Sequence, residues 1–175
     1  RPTVTSADPP ANLVIRRRNV CPESEGIVGD VLMGRRSATL GTIRSDTKLS
    51  GGCLCNAVRV AISGAPYRVG ICHCLDCRKH SGAAFGTSAI YRADAVTITG
   101  ATAEYRNRHF CPTCGASVFA RSGDEIEVQL GCLDAQNRLT PTYENWIIRR
   151  EDWLPPFDVA RRYPRDREGK GRSEP

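Results

Sequence analysis

Nine cysteines, at Cys21, Cys53, Cys55, Cys72, Cys74, Cys77, Cys111, Cys114 and Cys132, constrain this 175-residue chain more than any other feature. Nine is odd, so no scheme of internal disulfides uses them all. Spacing decides the matter: the thiols fall into C-x-C, C-x-C-x-x-C and C-x-x-C clusters with two outliers. A disulfide framework scatters single cysteines through a short secreted chain, whereas tight clusters in a longer chain without a secretion signal read as metal sites. The clusters therefore predict bound metal and a reducing compartment, the cytoplasm.

Take Gly51-Gly52-Cys53-Leu54-Cys55 together with Phe110-Cys111-Pro112-Thr113-Cys114-Gly115. Two pairs supply four thiolates, the ligand number of a tetrahedral structural zinc. On an extended chain a C-x-C pair points its side chains to opposite faces. Gly51, Gly52 and Asn56 therefore predict a bent, non-strand backbone that turns both sulfurs to one ion. Gly115 can take the left-handed conformation that closes the C-x-x-C knuckle, and Pro112 stiffens its turn. Closing the 55 residues between Cys55 and Cys111 costs about 3.6 kcal/mol plus a constant. A structural zinc contributes about 10 to 16 kcal/mol, so the metal outweighs the loop.

The remaining cluster is Cys72-His73-Cys74-Leu75-Asp76-Cys77-Arg78-Lys79-His80. Its three cysteines fit one loop and can bind one ion, leaving a fourth position for water, a substrate, or a distant side chain such as Cys132, His80 or Cys21. An open position marks a catalytic zinc; a filled one marks a second structural zinc. Three thiolates leave Zn²⁺ with a net charge of about −1, a poor activator of water but a good holder of a further thiolate. The ligand set thus points toward thiol chemistry rather than hydrolysis. Arg78 and Lys79 either bind substrate carboxylates or balance the thiolate charge, and His80 is either a proton shuttle or a solvent-facing residue. Cys132, after a strand, reads as a buried small hydrophobe, with a redox nucleophile as the competing role. Cys21 is assigned nothing.

The chain carries net charge +6, which invites a nucleic-acid reading until the charge is located. Residues 1–46 hold +2, residues 47–158 hold +1 and residues 159–175 hold +3. A phosphate-binding surface clusters its basic groups on the folded part; here they lie mostly in Arg16-Arg17-Arg18 and from Arg161-Arg162 onward, as solvated charge on loose ends. The competing function is a non-enzymatic zinc module contacting nucleic acid or chromatin through those ends. No stretch approaches the roughly 18 apolar residues of a membrane span, and the N-terminal region lacks the apolar core of a signal peptide. A soluble chain with no membrane partner is expected. It begins at Arg1, as a fragment or processed form does.

Prolines interrupt residues 1–47, which read as an irregular extension, and residues 159–175 read as a charged tail. Residues 48–158 are the folded domain. Val58, Val60 and Ile62 alternate with small or polar residues; Ala95 to Thr99 ends at Gly100; Ser117 to Arg121 and Ile126 to Leu130 add two more β-rich runs. No ten-residue window shows a 3.6 period, so helix is limited to about a turn, at Asp76 to His80. A mainly β domain organised around metal follows.

The ordered motifs Gly51-Gly52-Cys53-x-Cys55, Cys72-His73-Cys74-x-x-Cys77-Arg78-Lys79-x-x-Gly82-Ala83-x-Phe85, Phe110-Cys111-x-x-Cys114-Gly115 and Gly131-x-Leu133-Asp134, with a closing Trp146 to Trp153 segment, resemble the glutathione-dependent formaldehyde-activating enzyme (GFA) family, which also includes centromere protein V. The likeness spans residues 48 to about 157. It implies a β-tent fold of small antiparallel sheets and two Zn²⁺ ions per chain. The structural zinc would take Cys53, Cys55, Cys111 and Cys114, and the catalytic zinc Cys72, Cys74 and Cys77. Arg78, Lys79 and His80 would contact the co-substrate, glutathione. The implied reaction is that of a carbon–sulfur lyase, joining or separating formaldehyde and the glutathione thiol through S-(hydroxymethyl)glutathione. Asn56 stands where the family usually has glycine, and Tyr143-Glu144-Asn145-Trp146 where many members carry a histidine.

Overall fold

A computed structural model describes residues 48–168 and 172–173. The extension over residues 1–47, with Cys21 and Arg16-Arg17-Arg18, lies outside the described residues. In chain order the elements are β1 (Lys48–Gly52), β2 (Arg59–Ser63), β3 (Arg68–Cys72), α1 (Leu75–Ser81), β4 (Gly86–Arg92), β5 (Val96–Thr99), β6 (Ala103–Tyr105), β7 (Arg108–Phe110), β8 (Ser117–Ser122), β9 (Glu125–Gln129), β10 (Tyr143–Asn145) and β11 (Arg161–Arg162), with three short 3-10 turns. The domain is mainly β, and its single helix lies where the sequence puts a helical turn.

Two sheets form. The smaller is antiparallel in the order β1-β2-β5, with Leu49 opposite Ile62, and Ile62 opposite Val96. Alternation explains it: Leu49, Val60, Ile62 and Val96 face inward while their neighbours are solvated. Gly51 and Gly52 belong to β1 rather than to the bend, which begins only at Cys53. The larger sheet runs β11-β10-β3-β4-β9-β8-β7-β6 and is mixed, because β10 pairs in parallel with both β3 and β11. The small-sheet residues pack with Val69, Ala89, Tyr91, Val118, Phe119, Ile126 and Val128 of the large sheet in one apolar core, which also contains Cys53, Cys111 and Cys132.

β3 and β4 sit inside the large sheet, and most of their residues are buried on both faces: Val69, Gly70 and Ile71 in one, Ala89, Ile90 and Tyr91 in the other. Strands of that kind show no period of two. Gly70 has a specific duty, since a Cβ there would stand 2.2 Å from the Tyr143 ring. Its missing side chain lets β10 lie alongside β3.

Residues 161–166 depart from the expectation of a loose end. Arg161 and Arg162 form β11, the Tyr163 amide donates to Glu144 O at 2.8 Å, and the Trp146 amide donates to Arg165 O at 2.9 Å. Trp146 Nε1 donates to Asp166 at 2.7 Å, and the Tyr143 and Tyr163 rings meet edge to face at 6.4 Å. Of the basic side chains here, Arg162 turns inward to the buried Glu144 carboxylate at 3.3 Å.

A further tie across the large sheet joins β3 to β9. Arg68 Nη1 and Nη2 donate to the two oxygens of Glu125 at 2.9 and 2.6 Å, with both side chains largely buried. The Arg68 guanidinium holds the Glu125 carboxyl below its ordinary range. A depressed folded value means stability that is present above the unfolded carboxylate pKa, about 4.3, and lost as pH falls through the folded one. Glu125→Gln should cost about 2 kcal/mol at pH 7. In urea titrations from pH 7 to pH 3, its deficit against the parent chain should shrink steadily.

Candidate metal centres and their cavities

Cys53 follows β1 directly, and Cys111 follows β7 directly. The first loop is closed by the Cys53 amide on Val58 O at 2.9 Å and the Asn56 amide on Cys53 O at 3.1 Å, with Asn56 in the left-handed region at φ 63°. The second is closed by the Cys111 amide on Ala116 O at 3.0 Å and the Gly115 amide on Cys111 O at 2.9 Å, with Gly115 at φ 74°. The four sulfurs of Cys53, Cys55, Cys111 and Cys114 lie within 4.8 Å of one another. Cys53 and Cys55 are 3.5 Å apart, Cys55 and Cys111 3.7 Å. Metal–sulfur arms of about 2.3 Å in a tetrahedron require sulfur separations of about 3.8 Å, so the set fits one ion.

The protonation pattern agrees. Against the upward pull of burial, the Val58 amide and the neighbouring sulfurs bring the Cys53 thiol down to about 6. Cys55 is drawn down by the Ala57 amide yet pushed up to about 12 by Cys53 and the other two sulfurs. Four adjacent thiols resist ionising together unless a cation shares the space.

Cys72 ends β3, Cys74 caps α1, and Cys77 sits in the first turn of that helix. The Cys77 amide donates to Cys74 Sγ at 3.3 Å, and Gly86 opposite Cys72 leaves room for Cys77, whose Cβ a side chain there would meet at 3.1 Å. These three sulfurs also lie within 4.8 Å of one another. Contacts from Cys72 and Cys77 hold the Cys74 thiol far down, while Cys74 raises Cys72, and Cys72 and Cys74 raise Cys77. Among the described residues, no fourth cysteine, histidine or carboxylate joins the set, so neither Cys132 nor His80 supplies a fourth donor, while Cys21 lies outside the described residues. Cys132 is buried, its Sγ 3.6 Å from Val118 O, and burial pushes its thiol up to about 11. All eight described cysteines are free of disulfides.

Two cavities adjoin the three sulfurs, one of about 230 Å³ and one of about 300 Å³. Cys72, Cys77, Ser88, Arg108 and Glu127 line both. His80 borders the first, with its Nε2 2.8 Å from Ser117 Oγ. Burial, then the positive charge of Arg108 and His109, holds the His80 pKa down, which favours the neutral ring. Lys79 and His80 also border a third cavity with Arg106 and Arg108. Arg78 instead pairs with Glu151.

Behind the three-sulfur loop lies a polar group that sequence reasoning missed. His73 and Glu144 are both completely buried, and the His73 Nε2–H donates to Glu144 Oε1 at 2.8 Å. Arg150 and Arg162 approach the same carboxylate at 3.5 and 3.3 Å. The His73 amide donates to Asn145 O at 3.0 Å, and its ring packs against Phe85 and Phe157, which meet each other edge to face at 5.0 Å. Consecutive side chains thus divide the labour: His73 anchors the loop inward while Cys72 and Cys74 turn to the cavities. Arg108 and Glu127 were also missed, since each is an isolated charge on a short strand. The one signal was Glu127's place between two apolar core residues.

Metal content separates the two sites. Cys53→Ser should cost one metal equivalent and abolish the cooperative unfolding transition, because an ion held by the four sulfurs would contribute directly to folding. Cys74→Ser should remove one equivalent by elemental analysis while leaving the β-type circular dichroism and its thermal transition in place.

The family profile described as glutathione-dependent formaldehyde-activating enzyme matches residues 48–149. No curated protein matches the chain. Among solved structures, a Rhodobacter sphaeroides protein is similar at 19% identity and a TM-score of 0.41, covering 50% of this chain and 90% of its own. With both cysteine groups inside the matched span, the chain belongs to the glutathione-dependent formaldehyde-activating enzyme family.

Proposed function

We propose that this protein is a zinc-dependent carbon–sulfur lyase that forms or cleaves the adduct of a glutathione-type thiol with formaldehyde or a related small aldehyde, the product being S-(hydroxymethyl)glutathione for the parent pair. One observation carries the reading: three clustered sulfurs with no fourth donor among the described residues, facing two cavities large enough for parts of a small peptide. Zinc bound at Cys72, Cys74 and Cys77 would supply positive charge that stabilises an incoming thiolate without turning water into a strong nucleophile. The chain's own residues do the rest. The His73–Glu144 anchor fixes the sulfur loop, so the three sulfurs keep one direction relative to the cavities. Lys79 and His80, with Arg106 and Arg108 beside them, offer cationic and hydrogen-bonding groups to the carboxylates of a tripeptide thiol; Arg78, held by Glu151, orients α1 instead. Cys53, Cys55, Cys111 and Cys114 hold a structural zinc away from the chemistry. The working unit is residues 48–158 with the docked strand at Arg161–Arg162, acting in the cytoplasm.

Exchange NMR between glutathione, formaldehyde and their adduct tests this. The protein should speed exchange well above the spontaneous rate, and Cys74→Ser should lose at least about 100-fold of the acceleration. Full acceleration by Cys74→Ser would end the proposal.

A further inference from the structure

Glu127 lies on β9 between Ile126 and Val128, both fully buried in the core. Strand alternation sends its side chain to the other face, where it lines both cavities beside Cys72 and Cys77. The other carboxylates around this site have partners: Glu125 with Arg68, Glu144 with His73, Glu151 with Arg78, and Asp76 with Arg108 at 3.5 Å. Among the described residues, no hydrogen bond or ion pair engages Glu127. Burial raises its pKa, against the pull of Arg68 and Arg108. A half-buried carboxyl with free oxygens, at the junction of two cavities and beside an open three-sulfur set, is placed to exchange protons with whatever occupies that junction.

Resting on the function proposed above, we infer that Glu127 is the proton carrier of the reaction, moving one proton from the substrate sulfur to the aldehyde oxygen. The balance is closed. The Glu127 carboxylate takes the S–H proton, and the sulfur lone pair forms the C–S bond. The C=O π pair moves onto oxygen, and Glu127 returns the same proton there to give the hydroxymethyl group. Reversal cleaves the adduct, and nothing is oxidised or reduced. Ser88 and Arg108, on the same wall, are left to orient the aldehyde oxygen and the thiol's carboxylate.

The test uses the zinc-loaded full chain with glutathione and formaldehyde, read by exchange NMR, zinc analysis and calorimetric glutathione binding. Glu127→Gln should slow exchange by about 100-fold or more while keeping both zinc ions and glutathione affinity. Glu127→Ala should regain part of its rate when formate is added as a replacement carboxylate. If the Gln variant does not fold, Glu127→Asp carries the test, with slowed exchange at unchanged zinc content expected. Exchange in the Gln or Asp variant within about threefold of the parent chain would overturn the assignment. So would loss of zinc or of glutathione binding, which would make Glu127 a structural group. An inactive parent chain would sink the function itself, whereas an active parent with an indifferent Glu127 variant would sink only this inference.

Discussion

Four cysteine sulfurs meet where the last residue of β1 and the last residue of β7 run out, and those strands belong to different sheets. The two sheets share one apolar core, and the sulfurs tie them together at a second point. The strands are two to seven residues long, so no pair of them buries enough apolar surface to define the angle between the sheets alone. The sulfurs contribute by a different kind of force. Their crowding is unfavourable as thiolates and indifferent as thiols, and becomes strongly favourable once a cation shares their charge. Two of them are themselves part of the apolar core, so an ion held there would be coupled directly to folding.

From that junction the rest of the site follows. The three-sulfur loop is hung between β3 and α1, and its geometry is set from behind by a buried ionic group rather than by apolar packing. Glu144 is an anion removed from water, a costly state unless donors surround it. His73, Arg150 and Arg162 come from three separate parts of the chain to do so. The arrangement gives direction at some expense of stability, which suits a loop whose sulfurs must face a cavity and stay there.

Much of this was readable in advance, for identifiable reasons. Metal ligands announce themselves because thiolate clusters need close spacing, and Cys53 to Cys55, Cys72 to Cys77 and Cys111 to Cys114 each supply their group within one loop. The left-handed positions at Asn56 and Gly115 were legible from residue type. Half-buried strands such as β2 and β9 were legible by alternation, whereas β3 and β4 were not, because burial on both faces erases the pattern. Long-range partnerships left no local mark at all: Glu144 and His73 are 71 positions apart, and Arg108 and Glu127 reach the sulfurs only because β7 and β9 share a sheet with β3. The segment from residue 159 misled because charge and proline look the same whether they are solvated or folded back along an edge.

That folded-back edge has a consequence for timing. Arg162 is the last contributor to the shell around Glu144, and it leaves the ribosome about 90 residues after Cys72 does. Contacts of such long range form late and slowly. The four-sulfur junction is complete as soon as Cys114 has emerged, but the three-sulfur loop cannot settle into its final direction until β11 has arrived. Synthesis therefore has a built-in order: all four sulfurs of the junction exist on a partial chain, whereas the shell that orients the three-sulfur loop exists only on a nearly finished one.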